Sequence, residues 1–418
     1  MNTLLLKNMI CNGTETDIFI RGNRFEKIAP QIVCEADEVY DGGGHTAIVP
    51  AFYNTHTHAA MTLLRGYGED MELFTWLSKC IWPAEAKLTD EDIYWGSRLA
   101  ICEMIRSGTV FFNDMYWHQA ATIHAVKESG IRAGIGLLTL SLASEEIRKQ
   151  NRLNNAAFLE QRHELPETIQ LTFAPHAIYT VGTDELREVR QQSEEYGLPI
   201  HIHASETQKE FDDCRSQHGG LTPIEYLNSL NMLNDTTLLA HCVKLSDHDL
   251  ELIAEHRSII AHMPCSNHKL ASGRFRFDDA IRHGCRVTIG TDGASSNNSL
   301  SMYGEMKLAA LAAKESSNSP EVARACDVFA AATRNGAEAF GLDAGVIAEG
   351  KLADAQLIEL DHPAMVADYD LTANLLYSAD SSVVESVLCN GKFVMKHRII
   401  PGEKEILQAA RKCCQKLR

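Results

Sequence analysis

His56 and His58 stand two residues apart just after a short apolar run, Ile48 to Phe52. Side chains alternate along an extended backbone, so both imidazoles point to the same side and two nitrogens can grip one metal ion. With 18 histidines in 418 residues, about one H-x-H arises by chance, and a second does occur at His201 and His203. The pair gains meaning from other ionisable residues that recur after apolar runs. His176 follows Gln170 to Ala174, His203 and Glu206 close Pro199 to His203, His241 ends Thr237 to His241, and Asp292 follows Val287 to Gly290. Neutral imidazoles and a carboxylate are ordinary ligands for a divalent transition metal, with one position left for water. Such an ion lowers the pKa of that water from about 15.7 to about 7, which supplies a nucleophile at neutral pH.

These positions converge if every apolar run is a strand of one parallel sheet. The strand candidates are Ile48 to Phe52, Thr109 to Phe112, Arg132 to Leu137, Gln170 to Ala174, Pro199 to His203, Thr237 to His241, Ser258 to His262 and Val287 to Gly290. Helical stretches separate them, and that alternation signals βα units. Two helix starts are legible: Thr89 with Asp92 three residues on, in a pattern running to Ser107 before Gly108, and Ser246 with Asp249. Eight units of this kind predict an α/β fold, a (β/α)8 TIM-like barrel, whose C-terminal rim collects the residues that follow each strand. His56, His58, His176, His203, Glu206, His241 and Asp292 then share one mouth.

Both chain ends have a different rhythm. Short alternating segments such as Asp17-Ile18-Phe19-Ile20 are punctuated by Gly22-Asn23, Pro30 and Gly42-Gly43-Gly44, and short strands return after Gly341, with a turn at Asn390-Gly391. The simplest organisation is a small β-sandwich domain built from residues 1–49 and 343–418, with the hydrolase barrel of residues 50–342 inserted between them. A helix from about Glu403 to Leu417 finishes the chain.

Composition narrows the function classes. A chain of 418 residues exceeds the roughly 250 to 300 at which one core stops growing. Hydrophobic residues at 45% and charged residues at 23% suit a folded enzyme and not a disordered chain. With 56 acidic against 39 basic residues, a net charge of -17 and no dense Lys/Arg cluster, neither nucleic acid nor an anionic membrane is an expected partner. Twelve cysteines without a C-x-x-C point to a reducing compartment. Leu4-Leu5-Leu6 before Lys7 is too short for a signal-peptide core, and no apolar run approaches the ~18 residues of a membrane helix. A cytoplasmic location is the expectation.

The strings Asn54-Thr55-His56-Thr57-His58, His203-Ala204-Ser205-Glu206, Ala240-His241-Cys242, Ser266-Asn267-His268-Lys269-Leu270 and Gly290-Thr291-Asp292-Gly293 resemble the amidohydrolase superfamily along essentially the whole chain. Within it they are most similar to the branch of S-adenosylhomocysteine and 5′-methylthioadenosine deaminases, with guanine deaminases and triazine hydrolases as relatives. Ala353-Asp354 resembles that superfamily's return into its β domain. The resemblance implies one divalent metal ion, usually zinc and sometimes iron, held by His56, His58, His203 and Asp292. It makes Glu206 the proton shuttle that protonates the ring nitrogen beside the attacked carbon. His241 and Asp292 then orient and deprotonate the water. Glu206 favours deamination, because departing ammonia needs a proton donor that chloride does not. Strand four ends in Ala174-Pro175-His176 with no lysine to bridge a second metal, which disfavours a two-metal amidase, and Pro264-Cys265-Ser266-Asn267-His268 lacks the second cysteine of the H-x-E zinc deaminases.

The same resemblance suggests substrate contacts. Trp82-Pro83-Ala84-Glu85 is similar to a ribose-recognition segment, with Glu85 accepting from vicinal hydroxyls and Trp82 beside it; His176 matches a nucleoside-contacting histidine. Branch members that accept S-adenosylhomocysteine carry an arginine after strand three, where Gly136-Leu137-Leu138-Thr139-Leu140 has none, leaving Arg148 or Arg152 to substitute. The expected substrate is a small nucleoside: 5′-methylthioadenosine, 5′-deoxyadenosine or adenosine ahead of S-adenosylhomocysteine. Amino- or chloro-hydrolysis of guanine or a triazine-like heterocycle is the alternative. A non-enzymatic metal- or ligand-binding protein is the reading from another class, and it calls for a broken constellation. Assembly stays open between a homo-dimer and a homo-tetramer.

Overall fold

The computed structural model describes residues 2–141 and 144–417. The N-terminal segment forms β1 (Thr3–Cys11), β2 (Thr14–Arg21), β3 (Arg24–Ala29) and β4 (Glu38–Pro50). Next come β5 (Phe52–Thr57), β6 (Thr109–Asp114), β7 (Arg132–Thr139), β8 (Ile169–Pro175), β9 (Ile200–Ala204), β10 (Thr237–His241), β11 (Ile259–His262) and β12 (Arg286–Ile289). The chain ends with β13 (Ala355–Glu359), β14 (Val384–Cys389), β15 (Lys392–Met395) and the helix Glu403–Lys416.

β5 to β12 lie side by side in chain order, every pair parallel. Their residues are almost all buried, which is why they read as continuous apolar runs and not as alternating ones. The sheet closes on itself at the β12 to β5 seam, where Thr291 N and Asp292 N donate to His56 O at 3.1 and 3.0 Å and Thr55 Oγ1 donates to Ile289 O at 3.1 Å. Gly290 permits that approach, because a Cβ there would lie 2.8 Å from both the N and the O of His56. The seam therefore brings the first and last strands of the (β/α)8 barrel together where His56 and Asp292 sit.

The two ends build one seven-stranded sheet in the order β15-β14-β13-β4-β1-β2-β3, mixed because β1 and β4 run parallel. One boundary differs from the expectation. Ile48 to Pro50 belongs to β4 of this sheet, pairing with β13, and the first barrel strand begins at Phe52 after the single residue Ala51. An apolar run shared by two consecutive buried strands carries no mark of the break between them. His56 consequently lies within β5, and His58 lies just beyond it.

Behind His58, Ala60, Met61, Leu63 and Leu64 pack into an apolar cluster with Ala410 and Cys413 of the C-terminal helix and Leu417 just after it, so the end of the chain buttresses the first metal-binding candidate. Barrel and sheet are also joined by a buried polar knot. Asp354 accepts from Arg132 Nε at 2.9 Å, from Tyr53 Oη at 2.8 Å and from Asn390 N at 2.6 Å, with Arg132 and Asp354 side chains 4% and 0% exposed. Asp354→Ala leaves the Arg132 guanidinium buried and unpaired, a loss of about 3 to 5 kcal/mol. A lower urea midpoint is the expected result, and an unchanged midpoint would show that the knot does not join the two parts.

Candidate active site

The ends of β5, β9, β10 and β12 aim five buried groups at one point. One ligand atom each from His56, His58 and His203 lie within 4.8 Å of one another, as do those of His56, His241 and Asp292. Nε2 of His56 and Nε2 of His58 lie 3.4 and 3.2 Å from Asp292 Oδ1, and Nε2 of His203 lies 3.3 Å from Nε2 of His58.

Hydrogen bonds on the far side of each ring decide which nitrogen faces inward. His58 Nδ1 lies 2.6 Å from Met115 O and His203 Nδ1 2.7 Å from His176 O; a carbonyl only accepts, so both Nδ1 atoms carry the proton. His241 Nδ1 likewise meets Asn267 Oδ1 at 2.7 Å. Each of these rings then turns its Nε2 to the centre. Nε2 of His58 and Nε2 of His203 face each other at 3.3 Å, and Nε2 of His56, fully buried, meets only the Asp292 carboxylate oxygen beyond ordinary hydrogen-bond geometry. The donor set fits a divalent metal ion. Burial, outweighing the Asp292 contact, lowers His56 to about 4, and burial together with the neighbouring His176 holds His203 well below the usual histidine range, so both imidazoles are neutral at pH 7.

Asp292 is held from every side. Its Oδ2 accepts from Ser266 Oγ at 2.6 Å and Ser296 Oγ at 2.9 Å, and its Oδ1 accepts from Gly293 N at 2.8 Å. Burial alone raises its pKa, but the adjoining His56 and His58 imidazoles outweigh that and keep the carboxyl well below the usual range, as a carboxylate. Glu206 lies beside the centre, 5% exposed, with Oε1 accepting from Ser272 Oγ at 3.1 Å and Oε2 3.8 Å from His241 Nε2. Burial raises its pKa, which favours a proton on it. Ser205, His241, Cys242 and Asp292 have φ of 56°, 76°, 51° and 59°. Left-handed backbone at the ends of β9, β10 and β12 is costly for such residues and collects at functional sites.

A cavity of about 590 Å³ opens from this centre. His58, His176, His203, Glu206, His241 and Asp292 form its floor, and Glu85 and Trp82 line its wall. Trp82 is 44% exposed, at the mouth. Glu85 neighbours Tyr116, whose hydroxyl is buried without a hydrogen-bond partner. The His176 ring centroid lies 4.7 Å from that of His203, and its Nδ1 lies 2.9 Å from Thr180 Oγ1. Arg148 does not line the cavity. The helix that carries it, Glu145–Glu160, presents Ile147, Gln150, Asn151 and Asn154 to the cavity instead, and Arg152 lies 3.7 Å from Glu185. Spacing along the chain did not reveal which face of that helix turns inward.

The profile of the amidohydrolase family matches residues 47–394. The chain belongs to the amidohydrolase family. It is 41% identical to a 5-methylthioadenosine/S-adenosylhomocysteine deaminase of Archaeoglobus fulgidus, over 95% of this chain and 93% of that protein. It is 44% identical to a 5′-deoxyadenosine deaminase of Methanospirillum hungatei, over 92% and 85%. Among solved structures, a zinc-bound adenosine deaminase from Xanthomonas campestris superposes with a TM-score of 0.94 at 29% identity, covering 99% of this chain and 98% of that one.

Sequence reasoning left out several groups that this amidohydrolase places around the centre. His201 Nε2 lies 2.7 Å from His56 Nδ1, and its own Nδ1 lies 2.9 Å from the Asn113 side-chain amide. The same Asn113 nitrogen donates to Thr55 O at 3.2 Å, so His201 ties the His56 ring into a buried polar chain. The signal was available: the second H-x-H puts His201 on the same side of β9 as His203, toward the barrel interior. Ser266, Ser296 and Ser272 gave no signal, since hydroxyls that position carboxylates have no fixed spacing from them.

Proposed function

We propose that this amidohydrolase deaminates an adenosine-type nucleoside by hydrolysis, releasing ammonia and the inosine derivative. The observation that carries the reading is Glu206: a buried carboxyl with a raised pKa, beside His241 and the imidazole and carboxylate cluster, in a cavity of a size that accommodates a nucleoside. The substrates named for the A. fulgidus and M. hungatei relatives support the same class.

His56, His58, His203 and Asp292 would hold one divalent ion, zinc before iron, which when bound supplies the Lewis acidity that makes water a nucleophile near neutral pH. The residues of the chain do the rest. Asp292, pinned by Ser266 and Ser296, and His241, pinned by Asn267, orient the attacking water and take its proton. Glu206 gives its proton to the ring nitrogen next to the attacked carbon, which makes that carbon electrophilic. The proton taken from water then reaches the exocyclic amino group, the carbon–nitrogen bond breaks and ammonia leaves, while the added hydroxyl becomes the product carbonyl and returns its proton to Glu206.

Glu85 would accept from both ribose hydroxyls, and His176 would contact the nucleoside. The cavity lining carries no Lys or Arg side chain among the described residues, which supports an uncharged 5′ group (methylthio, hydrogen or hydroxyl) over the amino acid of S-adenosylhomocysteine. A diol-reading carboxylate in the wall also favours a nucleoside over guanine or a triazine.

Glu206→Gln keeps the shape of the side chain and removes its proton traffic. Turnover of 5′-methylthioadenosine should fall by about 10² to 10⁴-fold with metal content unchanged; turnover close to that of the parent enzyme would remove Glu206 from the reaction. Glu85 supplies a pH test. Burial, partly offset by Tyr116, raises its pKa to about 7. It becomes protonated as pH falls through that value and can no longer accept from two hydroxyls. Acidifying from about pH 8 to about pH 6 should therefore raise KM for the nucleoside roughly tenfold, and Glu85→Gln should flatten the dependence. A KM that follows the same pH curve in Glu85→Gln would exclude Glu85 as the ribose reader.

A further inference from the structure

Glu210 lies four residues beyond Glu206, inside the helix Gln208–Gln217, and is 2% exposed. A buried carboxylate without a cationic partner is costly and persists where specific hydrogen bonds hold it. Among the described residues no lysine or arginine forms an ion pair with it; the groups that bear most on its carboxyl are burial, the backbone amides of Glu206 and Ser205, Glu206 itself and His241. Glu210 Oε1 accepts from Ser205 N at 2.9 Å and Oε2 accepts from Glu206 N at 2.7 Å.

This departs from ordinary helix capping. Thr207 is the N-cap and accepts from Glu210 N, which makes Glu210 the third residue of the helix. A glutamate there normally reaches back to the amide of the N-cap residue and closes a capping box. Thr222 with Glu225 and Ser246 with Asp249 do so elsewhere in this chain. Glu210 passes over the Thr207 amide and takes the two before it. Those amides point the same way because Ser205 is left-handed, with φ 56°, and two successive N–H groups in such a turn form a concave anion site. Ser205 is tied in turn to the loop after β10, its O accepting from Val243 N at 2.9 Å and Lys244 N at 2.8 Å.

The turn thus clamped carries the Cα of Glu206. We infer that Glu210 is a positioning residue for the proton shuttle: its carboxylate locks the Ser205 and Glu206 amides and so fixes the direction in which the Glu206 side chain enters the cavity. The inference rests on the shuttle role proposed for Glu206. Glu210 touches no substrate atom and acts through its neighbour alone.

Glu210→Gln presents an amide nitrogen to one of the two N–H groups and breaks half of the clamp. Displacing a reacting group by about 1 Å costs on the order of 10²-fold in rate. The expected result is a kcat for 5′-methylthioadenosine lowered about 10- to 100-fold, with KM within about twofold and metal content unchanged. The decisive readout is a double-mutant cycle, since two residues acting as one unit are not additive. In the Glu206→Gln background, Glu210→Gln should cost nothing further. Thr207→Ala, which loosens the same helix end and spares the two clamped amides, should leave kcat within about twofold. If Glu210→Gln does not fold, Glu210→Asp, one methylene shorter, is run through the same cycle with the same expectation of no added loss. An additive loss in both backgrounds, a loss that follows metal content, or an equal loss in Thr207→Ala would overturn the role of Glu210. A Glu206→Gln enzyme of normal turnover would instead overturn the shuttle reading on which it rests.

Discussion

Imidazole nitrogens and a carboxylate oxygen, buried and crowded within a few ångströms, are the constraint around which this structure is built. Nε2 of His58 and Nε2 of His203 face each other at 3.3 Å while the opposite nitrogen of each ring is committed to a backbone carbonyl. Most of the surrounding architecture serves to hold that arrangement. The barrel brings non-adjacent strand ends to one rim, and the seam between β12 and β5 sets His56 against Asp292. Carbonyls of Met115 and His176 and the amide of Asn267 then choose the tautomers. Converging imidazole and carboxylate donors of this kind are the ligand set a divalent cation takes.

The geometry around the centre divides labour between two carboxyls by environment. Asp292 accepts three hydrogen bonds from Ser266, Ser296 and Gly293 and stays ionised. Glu206 receives one from Ser272, and burial tips it toward the protonated form. A base and an acid thus coexist beside the same cavity. The left-handed residues Ser205, His241 and Asp292 turn the chain directly after the strands, so the side chains that do chemistry ride on the stiffest part of the fold.

Much of this was legible in the amino-acid sequence, and the reasons are specific. Strands of a parallel barrel are buried on both faces and appear as short apolar runs, so the seven after the first could be placed. The capping boxes at Thr89 and Ser246 mark helix starts by chemistry that local sequence carries, and both are present. The first barrel strand was misplaced because Ile48 to Phe52 spans the end of β4 and the start of β5. Ligand candidates are named by type and by position after a strand, whereas the groups that orient them act across long separations: Ser266 and Ser296 on Asp292, Asn113 on His201, Asp354 on Arg132. Nothing in local pattern announces those pairs. The inward face of the helix Glu145–Glu160 was hidden for a related reason, since the residues it turns to the cavity, Ile147, Gln150, Asn151 and Asn154, are mostly polar and read like a solvent face.

Metal stoichiometry tests the central claim most directly. Protein stripped of metal and titrated with zinc should regain ammonia release from 5′-methylthioadenosine linearly, with a break at one equivalent per chain. A break at two equivalents, or full ammonia release from protein shown to be free of metal, would contradict the single cation shared by His56, His58, His203 and Asp292.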